Sequence, residues 1–459
     1  MWAFITLSLL GFLTLFIGAF ELKKWLLPVI VLGSVAAFVL NIFEWNLDGS
    51  WFNAMLTFNN YSLAFSNLMI VISVLLFLLA SFHFRFEDSN IGDIYALILF
   101  TLAGGIIMVS YSNLIMLFVG IEILSIALYI LAGSRRLLLA SNEASLKYFL
   151  MGAFASGFLL FGIALIFGVT NSFNIDDIAQ YVATENAPST MLSVGLLLIM
   201  VGLTFKVGAV PFHFWTPDVY QGSPIFITAF MSTIVKIAGI AAFYRLFDRC
   251  FSGVESVWYN TLWIICAATI LVGNILALKQ SSVKRLYAFS GIANAGYLII
   301  PILAMNEVSA SAIFYYSATY SVANILIFGV MMALAGTDND IDIERYRGLF
   351  KQSPLLGLSL IFGTLSLSGI PPLAGFLGKF TIFQGALESD LRNIVIIAVI
   401  GSLIGVYYYF KPMIAAFDNK LSTDSDLVET SPLFNTVMVV GIALTLVLTL
   451  LANTFTALI

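Results

Sequence analysis

Apolar runs of about 20 residues follow one another along nearly the whole chain, each closed by a short polar or charged stretch. At about 1.5 Å per residue, such a run is as long as the hydrocarbon core of a bilayer is thick, about 30 Å. The pattern predicts an all-α, polytopic membrane protein. The runs lie near residues 2–20, 25–43, 61–82, 93–110, 113–132, 145–169, 189–216, 223–244, 256–278, 286–304, 309–335, 354–388, 391–416 and 433–455, fourteen in all. Nothing basic precedes the first run, Glu21, Lys23 and Lys24 follow it, and no small-residue cleavage site closes it. It is expected to be a retained span, not a cleaved signal.

Two of the runs are too long for one straight crossing. One, 189–216, is interrupted at Gly208-Ala-Val-Pro211; the other, 354–388, at Gly369-Ile-Pro371-Pro372. Proline removes a backbone donor and glycine loosens the helix, so both runs are expected to break there. Each break has a lysine close by, Lys206 before the first and Lys379 after the second. The broken runs are seventh and twelfth in order, so they cross in opposite directions. That spacing predicts an inverted repeat, spans 4–8 against spans 9–13. The chain divides accordingly into N-terminal helices (1–92), a first repeat (93–250), a second repeat (251–420) and a last helix (421–459).

Composition narrows the class further. Hydrophobic residues make up 61% of the chain and charged residues 10%, against roughly 25% charge in soluble domains. The net charge of −5 says little, because the charges cluster at span ends. With an external N-terminus, one side takes Lys23, Lys24, Arg85, Arg135, Arg136, Lys279, Lys284, Arg285, Arg345, Arg347, Lys351, Lys411 and Lys420. The other side takes only Arg245, Arg249 and Arg392. This excess marks the first side as cytoplasmic and puts both termini outside. Cys250 and Cys266 form no CxxC, and the two histidines, His83 and His213, are far apart. Iron–sulfur, haem and zinc sites need more clustered ligands, so no cofactor or metal is expected in this chain. No stretch resembles a soluble domain, a nucleotide-binding loop or a nucleic-acid patch.

The remaining charges fall inside spans. Glu122 lies about ten residues into the fifth span and Lys236 about thirteen into the eighth, near mid-membrane. Lys206 and Lys379 flank the breaks, and Lys147 lies near the cytoplasmic start of the sixth span. A charge at bilayer depth costs about 2.5–3.5 kcal/mol on insertion scales. The plain explanations are an interhelical ion pair or a side chain reaching for the interface; for Lys147 these weigh as much as a functional role. For Lys206, Lys236 and Lys379 an ion-handling role is favoured, with Glu122 as the counter-charge of Lys206. Lysine suits a proton relay because its protonation responds to burial and to a neighbouring carboxylate, whereas arginine stays charged. His213, just past the first break, titrates near neutrality and could pass protons onward; a hydrogen-bonded interfacial role is equally open. His83 is read as an incidental loop residue. Lys379 has no carboxylate near it in sequence before Glu388, which is expected at the outer surface.

At these residues the chain resembles a known family. FVGIEILSIALYIL, EASLKYFLMGAFASGFLLFGIALIFG, LTFKVGAVPFHFWTPDVYQGSP, VGNILALKQSSVKRLYAFSGIANAGY and LSGIPPLAGFLGKF are similar to the antiporter-like subunits of respiratory complex I, and within them to the subunit N branch of bacterial NADH–quinone oxidoreductase. The resemblance covers nearly the whole chain. It implies fourteen helices, two inverted five-helix repeats and a proton path through mid-membrane charges. By motif, the family's glutamate of helix five falls on Glu122, and its lysines of helices seven, eight and twelve on Lys206, Lys236 and Lys379. Its supporting lysine of helix six falls on Lys147. The resemblance also implies a bacterial inner-membrane location and neighbouring complex I membrane-arm subunits as partners. FMN, iron–sulfur clusters and quinone are expected in those partners.

The chain departs from the family in SGIANAGY, where Asn294 stands in place of a frequent histidine. Asparagine cannot titrate, so a hop there would need water or the nearby Lys284. The chain also ends after the fourteenth span, without the long lateral helix of the largest relative. Two rivals remain: a subunit of a multisubunit cation/proton antiporter on the same fold, and a purely structural membrane subunit whose charges serve as ion pairs.

Overall fold

The computed structural model describes residues 1–83, 91–184, 188–335, 340–418 and 430–458. Arg85 and Lys420, which enter the sidedness argument, lie outside the described residues. The chain opens with α1 (Trp2–Ala19) and α2 (Lys23–Phe43), followed by an antiparallel hairpin of β1 (Gly49–Trp51) and β2 (Leu56–Phe58). Helices α3 (Asn60–His83), α4 (Ile91–Ser110), α5 (Leu114–Ala132) and α6 (Leu139–Thr170) come next. A short amphipathic helix, α7 (Ile175–Thr184), precedes the interrupted pair α8 (Thr190–Val207) and α9 (Trp215–Gly222). Then come α10 (Ile225–Cys250), α11 (Glu255–Ala277), α12 (Val283–Ala304) and α13 (Ser309–Ala335). A single turn, α14 (Leu349–Gln352), leads to the second interrupted pair, α15 (Pro354–Ser368) and α16 (Ala374–Glu388). The chain finishes with α17 (Arg392–Ala416), α18 (Pro432–Leu450) and α19 (Ala452–Thr456).

Thirteen of the described helices are long and apolar enough to cross a membrane. The α15–α16 pair supplies the remaining predicted crossing as two shorter pieces. In hydrocarbon every backbone group must be satisfied within the protein, and helices do this span by span. Side-chain oxygens of Asn113, Ser189, Ser282 and Ser431 cap the starts of α5, α8, α12 and α18. Both breaks form where expected. Gly208 ends α8 and Gly369 ends α15, each in the left-handed region, at φ 76° and 75°, which glycine enters without a Cβ penalty.

Helices α10, α12 and α13 are buried on nearly every face and form the centre. Helices α1, α2, α6 and α18 sit at the rim, with much of their apolar surface exposed. Small residues let helices approach closely: a Cβ on Gly162 of α6 would lie 2.6 Å from the Gly195 carbonyl oxygen of α8.

Several expectations are corrected. The β1–β2 hairpin was not foreseen; three-residue strands between spans carry no signal beside fourteen apolar runs. His83 ends α3 and is not in a loop. Helix α10 runs six residues beyond the expected 244, because Leu246, Phe247 and Cys250 continue its apolar packing. Arg245 is therefore not a loop residue. It is 2% exposed, donates to the Tyr111 and Val109 carbonyl oxygens at 2.8 and 3.3 Å, and reaches Thr57 Oγ1 of the hairpin at 2.5 Å. Loops assigned to one side do meet: residue 56 bridges to 111 and 113 to 174 at one end, and 282 to 342 at the other.

Candidate functional site

The three mid-span lysine positions are built from both halves of the fold. Lys206, in the last turn of α8, is 4% exposed. Its Nζ donates to Ser125 Oγ of α5 at 2.8 Å, and Ser125 in turn donates to the Ile121 carbonyl oxygen at 2.5 Å. Glu122 of α5 is half-buried and accepts a hydrogen bond from Ser156 Oγ of α6. No direct Glu122–Lys206 ion pair forms among the described residues. Ser125, one turn after Glu122 on α5, holds Lys206, while Ser156 of α6 holds Glu122.

Lys206 packs on α10, where a Cβ at Gly239 would meet its Cγ at 3.8 Å. Three residues earlier on α10 lies Lys236, also 4% exposed. Its Nζ donates to the Gly291 carbonyl oxygen of α12 and lies 3.5 Å from Tyr320 Oη of α13. One turn from these two residues, α12 and α13 carry Asn294 and Tyr316. Tyr316 Oη donates to Asn294 Oδ1 at 2.5 Å, while Asn294 Nδ2 donates to the Ser290 carbonyl oxygen at 2.8 Å and Tyr409 Oη at 3.1 Å. The amide therefore uses both ends in a network of tyrosine and serine hydroxyls.

On the far side of that network, Lys379 of α16 is 6% exposed. Its Nζ donates to the Leu367 and Ser368 carbonyl oxygens at 2.9 and 3.3 Å, in the last turn of α15 before the break. It also sits 4.8 Å from the centre of the Tyr297 ring. A broken helix leaves its last carbonyls unpaired, and here they hold the lysine. No carboxylate pairs with Lys379 among the described residues, and Glu388 is exposed, as expected. Gly378 packs against Tyr316, which ties α16 to the hydroxyl network.

The supporting residues separate into two groups. His213 lies in the first break, 5% exposed, with Nδ1 unpartnered among the described residues. Lys284, fully buried at the start of α12, donates to the Gln221 and Ser223 carbonyl oxygens at 3.1 and 2.5 Å. Lys147 differs from the mid-span lysines. Its side chain is 42% exposed and paired with Glu143 at 2.7 Å and Asp218 at 2.9 Å. Asp218 also holds Arg285 at 2.8 Å, and Gln221 Nε2 donates to Asp340 Oδ2 at 2.7 Å. Burial alone would raise the Asp218 carboxyl, but hydrogen bonds from Lys147 and Arg285 outweigh it and hold it below the ordinary carboxylate value. Glu143, Lys147, Asp218, Gln221 and Asp340 line a polar cavity of about 250 Å³ at this end of the molecule.

Sequence reasoning missed Ser125, Ser156, Tyr316, Tyr409 and Asp218. Ser125 was within reach, since i and i+3 share a helix face; the others meet the site only through distant helices. Chemically, the arrangement is a series of buried amines held by neutral oxygens, which suits holding and releasing protons.

Comparison with known proteins matches the chain to a family. The family described as NADH:quinone oxidoreductase/Mrp antiporter, TM, matches residues 110–405. The NADH-quinone oxidoreductase subunit N of Cytophaga hutchinsonii is 43% identical over 425 residues, covering 91% of this chain and 91% of that protein. The subunit N of Flavobacterium psychrophilum is 40% identical, covering 98% of each. Among solved structures, a chain of respiratory complex I from Thermus thermophilus superimposes with a TM-score of 0.86 at 31% identity, covering 99% of this chain and 98% of that one.

Proposed function

The chain belongs to the NADH-quinone oxidoreductase subunit N family, and from that premise we propose that it is a proton-translocating subunit of the membrane arm of such an oxidoreductase. The observation that carries the reading is the series Lys206, Lys236 and Lys379, each nearly inaccessible and held by hydroxyl or carbonyl oxygens. A buried ammonium without a paired carboxylate is a strong proton donor, since burial disfavours the charged form. A nearby charge that moves or is neutralised then changes its hold on the proton.

In this reading Glu122 is the first charge in the series, acting on Lys206 through Ser125. Lys236 sits between the two halves, and the Asn294–Tyr316–Tyr409 hydroxyls span the step to Lys379. Lys284 and His213 are side stations, and the Lys147–Asp218–Arg285 group forms the cytoplasmic mouth. NADH oxidation and quinone reduction, with FMN and iron–sulfur clusters, belong to partner subunits, while neighbouring antiporter-like subunits flank this one in a bacterial inner membrane. Both termini face outward, as the distribution of basic residues favours.

The family description also embraces cation/proton antiporters. High identity to subunit N proteins over almost the full chain favours the oxidoreductase. Lys206→Ala tests the role directly. The assembled complex is expected to lose proton pumping in reconstituted vesicles while flavin and iron–sulfur subunits still co-purify. Normal pumping by that variant would leave the lysines as structural elements, and the absence of redox subunits from the wild-type preparation would favour the antiporter.

A further inference from the structure

A groove of about 540 Å³ opens between α4, α5 and α6. Its wall is apolar, with Ile126 and Ile130 of α5 and Leu146 and Phe149 of α6 all exposed along it. Its mouth is polar and carries two opposite charges, Asp93 in the first turn of α4 and Arg136 in the α5–α6 turn. Both charges are exposed. Neither forms an ion pair with the other or with any described residue, although they line the same groove. Immediately after Arg136, Leu137 is fully exposed and Leu139 nearly so, so the turn presents apolar side chains beside its charge. Asn142 donates to the Arg136 carbonyl oxygen at 2.9 Å and holds the turn in place.

We propose that this groove binds one phospholipid with a zwitterionic amine headgroup, the phosphate on Arg136, the ammonium on Asp93 and an acyl chain along Ile126, Ile130, Leu146 and Phe149. An apolar slot of this volume with a few polar groups at one end is the usual form of a small-molecule site. A basic residue between membrane helices is a typical headgroup anchor. The acidic residue decides the class: an anionic headgroup would meet Arg136 but be repelled by Asp93, whereas phosphoethanolamine satisfies both. Exposed leucines beside the mouth keep the turn at the interface, where a headgroup lies.

The test is native mass spectrometry of the purified complex, delipidated and then incubated with vesicles of equal phosphatidylethanolamine and phosphatidylglycerol. The wild-type subunit is expected to be released with one phosphatidylethanolamine, at least fivefold over phosphatidylglycerol. Arg136→Ala is expected to lose that lipid at least fivefold, and Asp93→Asn to bring the two lipids to parity or reverse them, with proton pumping unchanged in both. Equal retention of both lipids by the wild type, retention of neither, or an unchanged preference in Asp93→Asn would overturn the proposal. The wild-type competition needs no variant to fold. Because the readout is lipid mass, its failure is separate from any failure of proton transport.

Discussion

Ser125 shows how one hydroxyl alters the relation between two charges. Glu122 is expected as the counter-charge of Lys206, and Lys206 Nζ rests on Ser125 Oγ at 2.8 Å. A hydrogen bond to a charged group contributes about 1.5–3 kcal/mol, and each 1.4 kcal/mol is about a factor of ten. Ser125→Ala is therefore expected to reduce pumping about tenfold or more, and Glu122→Gln to impair it with assembly intact. Full activity in both variants, measured as proton uptake by vesicles, would remove the Glu122–Ser125–Lys206 series from the mechanism. Lys379 makes the opposite case. Its burial and its lack of a nearby carboxylate were legible, because no acid precedes Glu388 in its span. Its holders were not, since Leu367 and Ser368 offer backbone oxygens that carry no side-chain signature. Lys379→Arg keeps the charge but cannot release the proton. It is expected to fail as completely as Lys379→Ala in the same assay. Pumping at the wild-type rate with arginine would make Lys379 a fixed electrostatic element.

The interrupted helices were the most legible elements, because glycine and proline act on the backbone wherever they stand. Gly208 and Gly369 end their helices where the sequence puts them, and the second break leaves carbonyl oxygens that hold Lys379. The β1–β2 hairpin and the extension of α10 were not legible, since both depend on contacts with distant loops. The same holds for Asp218, which looked like an ordinary turn residue until α6, α9 and α12 brought Lys147 and Arg285 to it. Its carboxyl is held below the ordinary value, so the group stabilises the fold above about pH 4. That contribution is lost as pH falls through the lower folded value. Since the side chain is 38% exposed, solvent screens the pairs and the effect is modest. In thermal unfolding of the purified complex, Asp218→Asn is expected to melt below the wild type at pH 7, with the gap closing below about pH 4. A gap that widened on acidification would mean that the ion group does not stabilise the junction of these helices.

Across the whole molecule, charge distribution and architecture make one joint statement about sidedness. One set of ends, those of α2, α3, α4, α6 and α10, gathers around Arg245, the hairpin and the 113–174 bridge. At the opposite end of the molecule, α6, α9 and α12 gather around Asp218 and Asp340. Which cluster faces the cytoplasm rests on the excess of basic residues near the second. The two native cysteines give a clean way to test it, since Cys250 and Cys266 are 2% and 0% exposed and should not react with a bulky, membrane-impermeant maleimide. Thr184→Cys, at the exposed end of α7, and Leu137→Cys, fully exposed beside Arg136, then report one side each. In intact spheroplasts Thr184→Cys is expected to label and Leu137→Cys to stay silent; in inverted vesicles the two should exchange. Both substitutions fall on exposed side chains, where packing cost is small. Labelling of both from the same side would mean that α6 does not cross the membrane, which would leave the first repeat one crossing short of the second and undo the match of five spans against five. A complete exchange of the expected sides would keep the fold and reverse the direction in which protons leave past Lys379.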